Sequence, residues 1–178
     1  MMSGHDEPDG PPVRRVMTVE LTIAEVATIR SLLWAAFASD GGGFTEHDWE
    51  HAVGGLHFVL ERDRAIVAHA SVVGRILYVG EGRFAAYQGQ GFGSCVMHEV
   101  NSFIRARFEL GAMSAGPHWS YERLGWQTWR GPSSVRTAGN SRRTPDDDDD
   151  ILVLPTPSSQ PLDPNDPISC EWRPGDIW

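Results

Sequence analysis

The sequence predicts an α+β fold built on a mixed sheet, and three observations carry that prediction. Strand and helix signals alternate in no strict strand–helix–strand order. Two runs rich in Val, Ile, Leu and Phe, residues 56–61 and 65–78, are separated only by Arg62-Asp63-Arg64 and read as an antiparallel hairpin. A glycine-rich loop, Gln88-Gly89-Gln90-Gly91-Phe92-Gly93, opens a long helix with Phe92, Val96, Val100, Phe103 and Ile104 on one face.

Taken in order, residues 1–12 are polar and read as a flexible tail. Residues 17–21 are apolar enough for a first strand. Thr22 and Glu25 form a capping-box pair, after which Val26, Ile29, Leu33 and Phe37 recur at helical spacing. That helix should stop near Ser39, before Gly41-Gly42-Gly43. Thr45 starts a second, short helix with Asp48 supporting its first turn, Trp49 and Val53 facing inward and Gly54-Gly55 closing it. Residues 79–87, with Gly80 and Gly82, show no clean strand period. Residues 110–114 read as a buried strand, 120–124 as a short helix and 126–129 as another strand. Residues 137–150 read as a loop ending in five consecutive aspartates, Asp146 to Asp150. Residues 151–154 and 168–172 are the last strands, separated by a proline-rich stretch, and Pro174-Gly175 signals a turn.

A chain of 178 residues suits one domain with a core. Its 40% hydrophobic and 22% charged content is that of a soluble globular protein. The net charge of −9 disfavours nucleic acid and anionic membranes and would attract a cationic small molecule, although solubility alone also explains it. The first twelve residues lack the apolar core of a signal peptide, and no apolar run is long enough to span a membrane. A cytoplasmic protein is the expectation. Cys95 and Cys170 are too few for a disulfide framework and are expected to be reduced.

The glycine-rich loop carries the first chemical signal. A helix N-terminus presents unpaired N–H groups and the positive end of the macrodipole, and glycines let those groups approach a phosphate. The loop lacks the Lys-Ser/Thr of a Walker A motif, and no clear strand leads into it as a dinucleotide fingerprint requires. A flexible turn is the plainer reading. The spacing Gln-x-x-Gly-x-Gly, with Gln88, Gly91 and Gly93 in place, resembles the pyrophosphate-binding signature of the GNAT (GCN5-related) N-acetyltransferase superfamily.

Further stretches resemble one family within it, the aminoglycoside 2′-N-acetyltransferases. They are Phe44-Thr45-Glu46-His47-Asp48-Trp49-Glu50-His51 with Gly54-Gly55, Leu110-Gly111-Ala112-Met113-Ser114-Ala115, residues 121–126, Arg143-Thr144-Pro145-Asp146-Asp147-Asp148, and the block from Cys170 to Trp178. The likeness runs from about Met17 to the end, so the domain is expected over 17–178 with 1–16 as tail. It implies a GNAT-like mixed, mostly antiparallel sheet flanked by helices, and acetyl-CoA as co-substrate. Gln88, Gly89, Gln90, Gly91, Phe92 and Gly93 would bind its pyrophosphate. It implies direct acetyl transfer to the 2′-amine of an aminoglycoside held by Asp48, Ser114, Asp147, Asp176 and the carboxylate of Trp178. Tyr121 falls where the family places the tyrosine that protonates the departing thiolate. Singly, each has a plainer reading: Asp48 as a cap, Asp147 in a solvated turn, Trp178 as a frayed end, Tyr121 as packing. Members often dimerise, so a homodimer stands as an option.

The sequence also departs from the family. About ten residues are missing between the hairpin and the glycine-rich loop, so one central strand is expected to be shortened or missing, with residues 82–87 drawn in as a substitute. Tyr78-Val79-Gly80-Glu81 only echoes the family's Gly-Tyr-Val-Glu segment, and the glutamate's role does not carry over to Glu81. Gly43 stands where the family has an acidic residue. Residues 115–120 are slightly short. A binding-only descendant, or an acetyltransferase for another amine, are the competing readings. His47 and His51 are spaced for a metal pair, but the zinc-protease motif needs Glu after the first His, and they are read as surface or packing residues.

Overall fold

The capping pairs read from the sequence mark where the first two helices begin. In the computed structural model, which describes residues 12–38, 43–88, 94–116, 118–175 and 177–178, α1 spans Ile23–Ala36 with Thr22 as its N-cap. Thr22 Oγ1 accepts from Glu25 N–H at 3.2 Å, and Glu25 returns a bond to Thr22 N–H at 2.8 Å. Helix α2 spans Glu46–Ala52, capped the same way by Thr45 and Asp48. Ile29, Leu33 and Trp49 are buried as expected, whereas Val53 is half exposed because the helix ends before it.

The hairpin forms as read: β2 is Leu56–Arg62 and β3 is Ala65–Val79, in antiparallel register from Leu56↔Val72. Asp63 and Arg64 both take positive φ in the two-residue turn, which matches the twist of the strands it joins. The first strand, β1, is Val13–Met17 rather than residues 17–21, and it pairs with β2. Residues 13–16, expected as tail, are therefore part of the sheet. After Met17 the chain tightens into a 3-10 turn, Thr18–Glu20, held by a 2.8 Å bond from Met17 N–H to the Glu20 carboxylate. The Thr18 hydroxyl turns inward and Val19 outward.

Between the hairpin and the glycine-rich loop the chain supplies β4, Gly82–Gln88. It runs antiparallel to β3 over Val73–Val79 and parallel to β5, Leu110–Ser114, over Ala86–Gln88. The central strand is present but short. Among the described residues, Ala65 to Val72 of β3 pair with β2 alone. Helix α3, Ser94–Arg107, connects the two parallel strands, and its Val96, Val100 and Ile104 are fully buried.

Beyond β5 lie α4 (Trp119–Glu122) and β6 (Gln127–Thr128), both shorter than expected. Trp126 and Trp129 bracket β6 and are buried at its ends. Then come β7 (Ser133–Thr137), β8 (Asn140–Arg143), β9 (Ile151–Pro155) and β10 (Ile168–Glu171). The β7–β8 hairpin replaces the first half of the expected 137–150 loop. Its strands are polar and largely exposed, so it has no hydrophobic period; its place comes from parallel pairing of β7 with β10. Strand order is β6-β9-β5-β4-β3-β10-β7-β8, with β2 beside the first half of β3 and β1 beside β2. Among the described residues no helix is long and apolar enough to cross a membrane.

Side chains alternate across β3 and so belong to two layers. Ala68, Ala70 and Val72 pack with α3, Phe58 and Trp126. Leu77 and Val79 face the other layer, with Ala112, Val153, Ile168, Cys170 and Trp178. Helices α1 and α2 cover the β1–β2 end through Ile29, Leu33, Trp49 and Val59.

Two histidines lie inside this structure. His57 of β2 and His69 of β3 are 0% and 1% exposed, with His57 Nδ1 2.8 Å from His69 Nε2. Burial holds His57 down to about 4, and burial with the neighbouring His57 holds His69 down to about 3. The unfolded chain takes up protons on both below about pH 6.5, while the folded chain resists until about pH 4, so stability falls as pH drops through that window. The melting temperature is expected to drop by roughly 5 °C or more between pH 6.5 and about 5, before ordinary carboxylates take up most of their protons. Scanning calorimetry across that interval checks it; a flat profile refutes it.

Candidate active site

Asp48 does two things. Its Oδ2 accepts from Thr45 N–H at 2.7 Å and from Thr45 Oγ1 at 2.6 Å, which caps α2 and fixes the carboxylate's direction. It also lines a narrow pocket. Leu33, Phe44, Ala52 and Val73 give that pocket apolar surface, while His51, His69, Ser71, Arg173 and Trp178 complete the wall.

The segment after β10 reaches this pocket because several groups tie it down. Trp172 N–H donates to Arg136 O at 2.8 Å. Arg75 of β3 donates to the carbonyl of Ile177 at 2.8 Å and also to that of Glu171. His51 Nε2 bonds to the carbonyl of Pro174. Gly175 has φ +77°, and a Cβ there would stand 2.7 Å from His47 Cβ and 3.2 Å from Asp48 Oδ1, so only glycine lets the segment lie so close on α2. Trp178 is 2% exposed, packed against the sheet rather than frayed.

The other described residues expected in the site, Ser114, Tyr121 and Asp147, are not among those that line the pocket. Asp147 closes a 3-10 turn, Pro145–Asp147, and does not line the pocket. Burial, and then the charges of Asp146, Asp150 and Asp148, push its carboxyl up. Its charge also acts on Cys170, whose Sγ lies 3.8 Å from Ile177 O in the layer that holds Trp178. Asp148 instead binds Ser133 N–H at 2.7 Å and Arg143 at 2.7 Å, which anchors the acidic turn to β7 and β8. Ser114 ends β5 opposite Ile151, beside that turn. Tyr121 is half-buried in α4, packs against the α3 layer, and burial pushes its phenol up.

Gln88 is the last residue of β4, paired with Val73 on one side and Ala112 on the other. Since Val73 lines the pocket, the start of the glycine-rich signature lies one strand from the pocket wall. Strand β5 continues past Ala112 to Ser114, and among the described residues that extension pairs only with β9. Gly89, Gln90, Gly91, Phe92, Gly93 and Asp176 lie outside the described residues. Asp48 and Trp178 share one pocket, and the β4 end adjoins it; Tyr121 lies in a different layer. Glu81 is exposed in the β3–β4 turn and does not line the pocket.

Sequence reasoning missed His69, Ser71, Arg75 and Arg173. The first three were signalled: with Val73 they occupy alternate positions of one strand, polar groups at period two in an apolar run. His47 contacts Glu50 and His51 holds Pro174, so the spaced histidines act in packing. Both cysteines are free, Cys95 exposed and Cys170 buried, with burial raising the Cys170 thiol to about 11.

Known structures share this fold. An Escherichia coli protein, ElaA, aligns with TM-score 0.56 at 10% identity over 80% of this chain and 98% of its own. A GNAT family acetyltransferase from Brucella melitensis, solved in complex with acetyl-CoA, aligns with TM-score 0.54 at 13% identity over 85% and 92%. The fold is therefore that of the GNAT acetyltransferases. No family model matches the sequence. An aminoglycoside 2′-N-acetyltransferase of Mycolicibacterium fortuitum, however, is 36% identical over 93% of this chain and 91% of its own length. The chain belongs to the aminoglycoside 2′-N-acetyltransferase family.

The terminal segment's dependence on Gly175 can be measured. Gly175→Ala adds a methyl at positive φ against α2 and is expected to cost ~1 kcal/mol or more. It should also speed hydrogen exchange at the Ile177 and Trp178 amides relative to the core strands. Unchanged exchange there would show that the segment is not held by this contact.

Proposed function

We propose that this protein transfers the acetyl group of acetyl-coenzyme A to the 2′-amine of an aminoglycoside. One observation carries the reading: the carboxylate of Asp48 and the terminal residue Trp178 share a pocket whose wall residue Val73 pairs with Gln88, where the glycine-rich signature begins. A polycation is held by several carboxylates, and acetyl transfer needs the thioester beside the amine they hold.

The residue roles follow from that reading. Asp48 comes with its carboxylate direction already fixed by the α2 cap. The Trp178 carboxylate, Asp147 and Asp176 are assigned to the drug's ammonium groups, and Ser114 to a hydrogen bond. Residues 88–93 are assigned to the pyrophosphate, at the start of α3. The β5 edge beyond Ala112 offers backbone groups to the amides of the coenzyme's arm. The neutral amine attacks the thioester carbonyl carbon, a C–N bond forms, the C–S bond breaks, the sulfur leaves as a thiolate, and the proton that nitrogen sheds passes to solvent, from which Tyr121 regains the one it gives up. Tyr121 is assigned to give that thiolate its proton. Its raised pKa keeps the hydroxyl protonated at neutral pH.

A second reading has its own support. Strand β4 is short, and Glu81 stands outside the pocket. A drug-binding protein without turnover would have these features.

Coenzyme A release in the presence of tobramycin or gentamicin separates the readings: turnover supports transfer, and binding without turnover supports the second. Tyr121→Phe is expected to lower kcat about 100-fold with little change in acceptor affinity. Unchanged kcat, with product release shown not to limit it, removes that role. Removal of Trp178 is expected to weaken tobramycin binding at least tenfold by calorimetry. Equal affinity in the trimmed chain would remove the carboxylate from the site.

A further inference from the structure

The two buried imidazoles take no part in the chemistry above, yet one of them borders the pocket. They form the middle of a row. His57 Nε2 is 2.8 Å from Thr18 Oγ1, and His57 Nδ1 is 2.8 Å from His69 Nε2. The two ends of the row differ. The Thr18 hydroxyl accepts from Gly54 N–H at 3.0 Å and reaches Gly55 O at 3.2 Å. His69 Nδ1 is buried and has no hydrogen-bond partner among the described residues. His69 also lines the pocket with Asp48, Ser71 and Trp178.

Counting protons orients the row. A threonine hydroxyl has one proton and two lone pairs. With its proton on Gly55 O, Thr18 Oγ1 accepts from Gly54 N–H and from His57 Nε2–H, and every position is used. His57 Nδ1 then accepts from His69 Nε2–H, so His69 Nδ1 carries a bare lone pair. The opposite tautomers leave a lone pair of Thr18 unused and strand a buried N–H on His69. An orphan N–H is the rarer and costlier of the two defects. A residue of the pocket wall therefore carries a buried, rigid acceptor that lacks a donor.

We propose that His69 Nδ1 accepts a hydrogen bond from a protonated amino group of the bound aminoglycoside, fixing the orientation of the ring that the carboxylates attract. The assignment rests on the acceptor reading above and adds a contact to it. Carboxylates pull a polycation in from any direction, whereas an imidazole lone pair selects one N–H vector. The imidazole must stay uncharged, or it would repel the ligand. Burial keeps it so at neutral pH. The groups around it are His57 on β2, Asp48 and His51 on α2, and Arg173 and Trp178 on the terminal segment.

The test uses the whole protein with histidine nitrogens labelled by 15N, the His69 signals being assigned by their absence in His69→Gln. Tobramycin binding is first established by calorimetry on the same sample. On saturation the unprotonated Nδ1 resonance of His69 should move upfield while Nε2 stays in place. His69→Phe should bind about tenfold more weakly, and His69→Gln, which keeps an acceptor oxygen, within about threefold of the original. If one variant fails to fold, the other assigns His69 by the same absence, and the resonance of the unaltered protein decides. An unmoved Nδ1 resonance in a saturated sample overturns the contact and leaves the acceptor reading standing. Absence of any tobramycin binding overturns the acceptor reading, and the contact falls with it.

Discussion

Strand β3 must do the work of two strands, and the site depends on that. Its first half pairs with β2, its second half with β4 on one edge and β10 on the other. Fifteen residues of extended chain keep one alternation throughout. One side therefore remains apolar against α3, while the other presents His69, Ser71, Val73 and Arg75 in a row toward the pocket and the terminal segment. A one-residue slip in register would exchange these faces, burying Arg75 in the α3 layer and turning Ala70 and Val72 to the pocket. The β2 pairing on one half and the β4 and β10 pairings on the other guard against that slip.

Local signals in the sequence were read well wherever the chain itself supplies the partner. The capping boxes at Thr22 and Thr45 involve residues three apart, so they are visible before folding. The β2–β3 hairpin, the α3 face and the apolar strands β5 and β9 carry their own periods. The β7–β8 hairpin was invisible because its residues are polar and its position is set by β10, more than thirty residues later in the chain. The first strand was displaced by several residues since Met17, Val19 and Leu21 alternate with polar residues as in a strand, but the Glu20 cap and the inward Thr18 turn the chain there.

The site divides in the same way. Asp48 and Trp178 were found from their motifs, and the structure brings them to one pocket. Arg75 and His69 were missed because a cation and a neutral ring are not the residue types sought for binding a polycation. Their roles come from what lies opposite them: Arg75 spends its donors on the carbonyls of Ile177 and Glu171, and His69 spends Nε2 on His57. The short β4 is the local cost of the missing residues. It satisfies the edges of β3 and β5 only where the two come together, near the start of the glycine-rich signature.

The two thiols differ enough to be told apart by chemistry alone. Only thiolate reacts with alkylating reagents, and a group at about 11 is ionised in roughly one molecule in ten thousand at pH 7. Cys170 is also walled in, against Ile177 and the sheet. Cys95 is exposed in the first turn of α3, immediately after the glycine-rich signature. A maleimide dye would therefore attach at one place, next to the loop whose behaviour matters most, without any cysteine having to be engineered in or out.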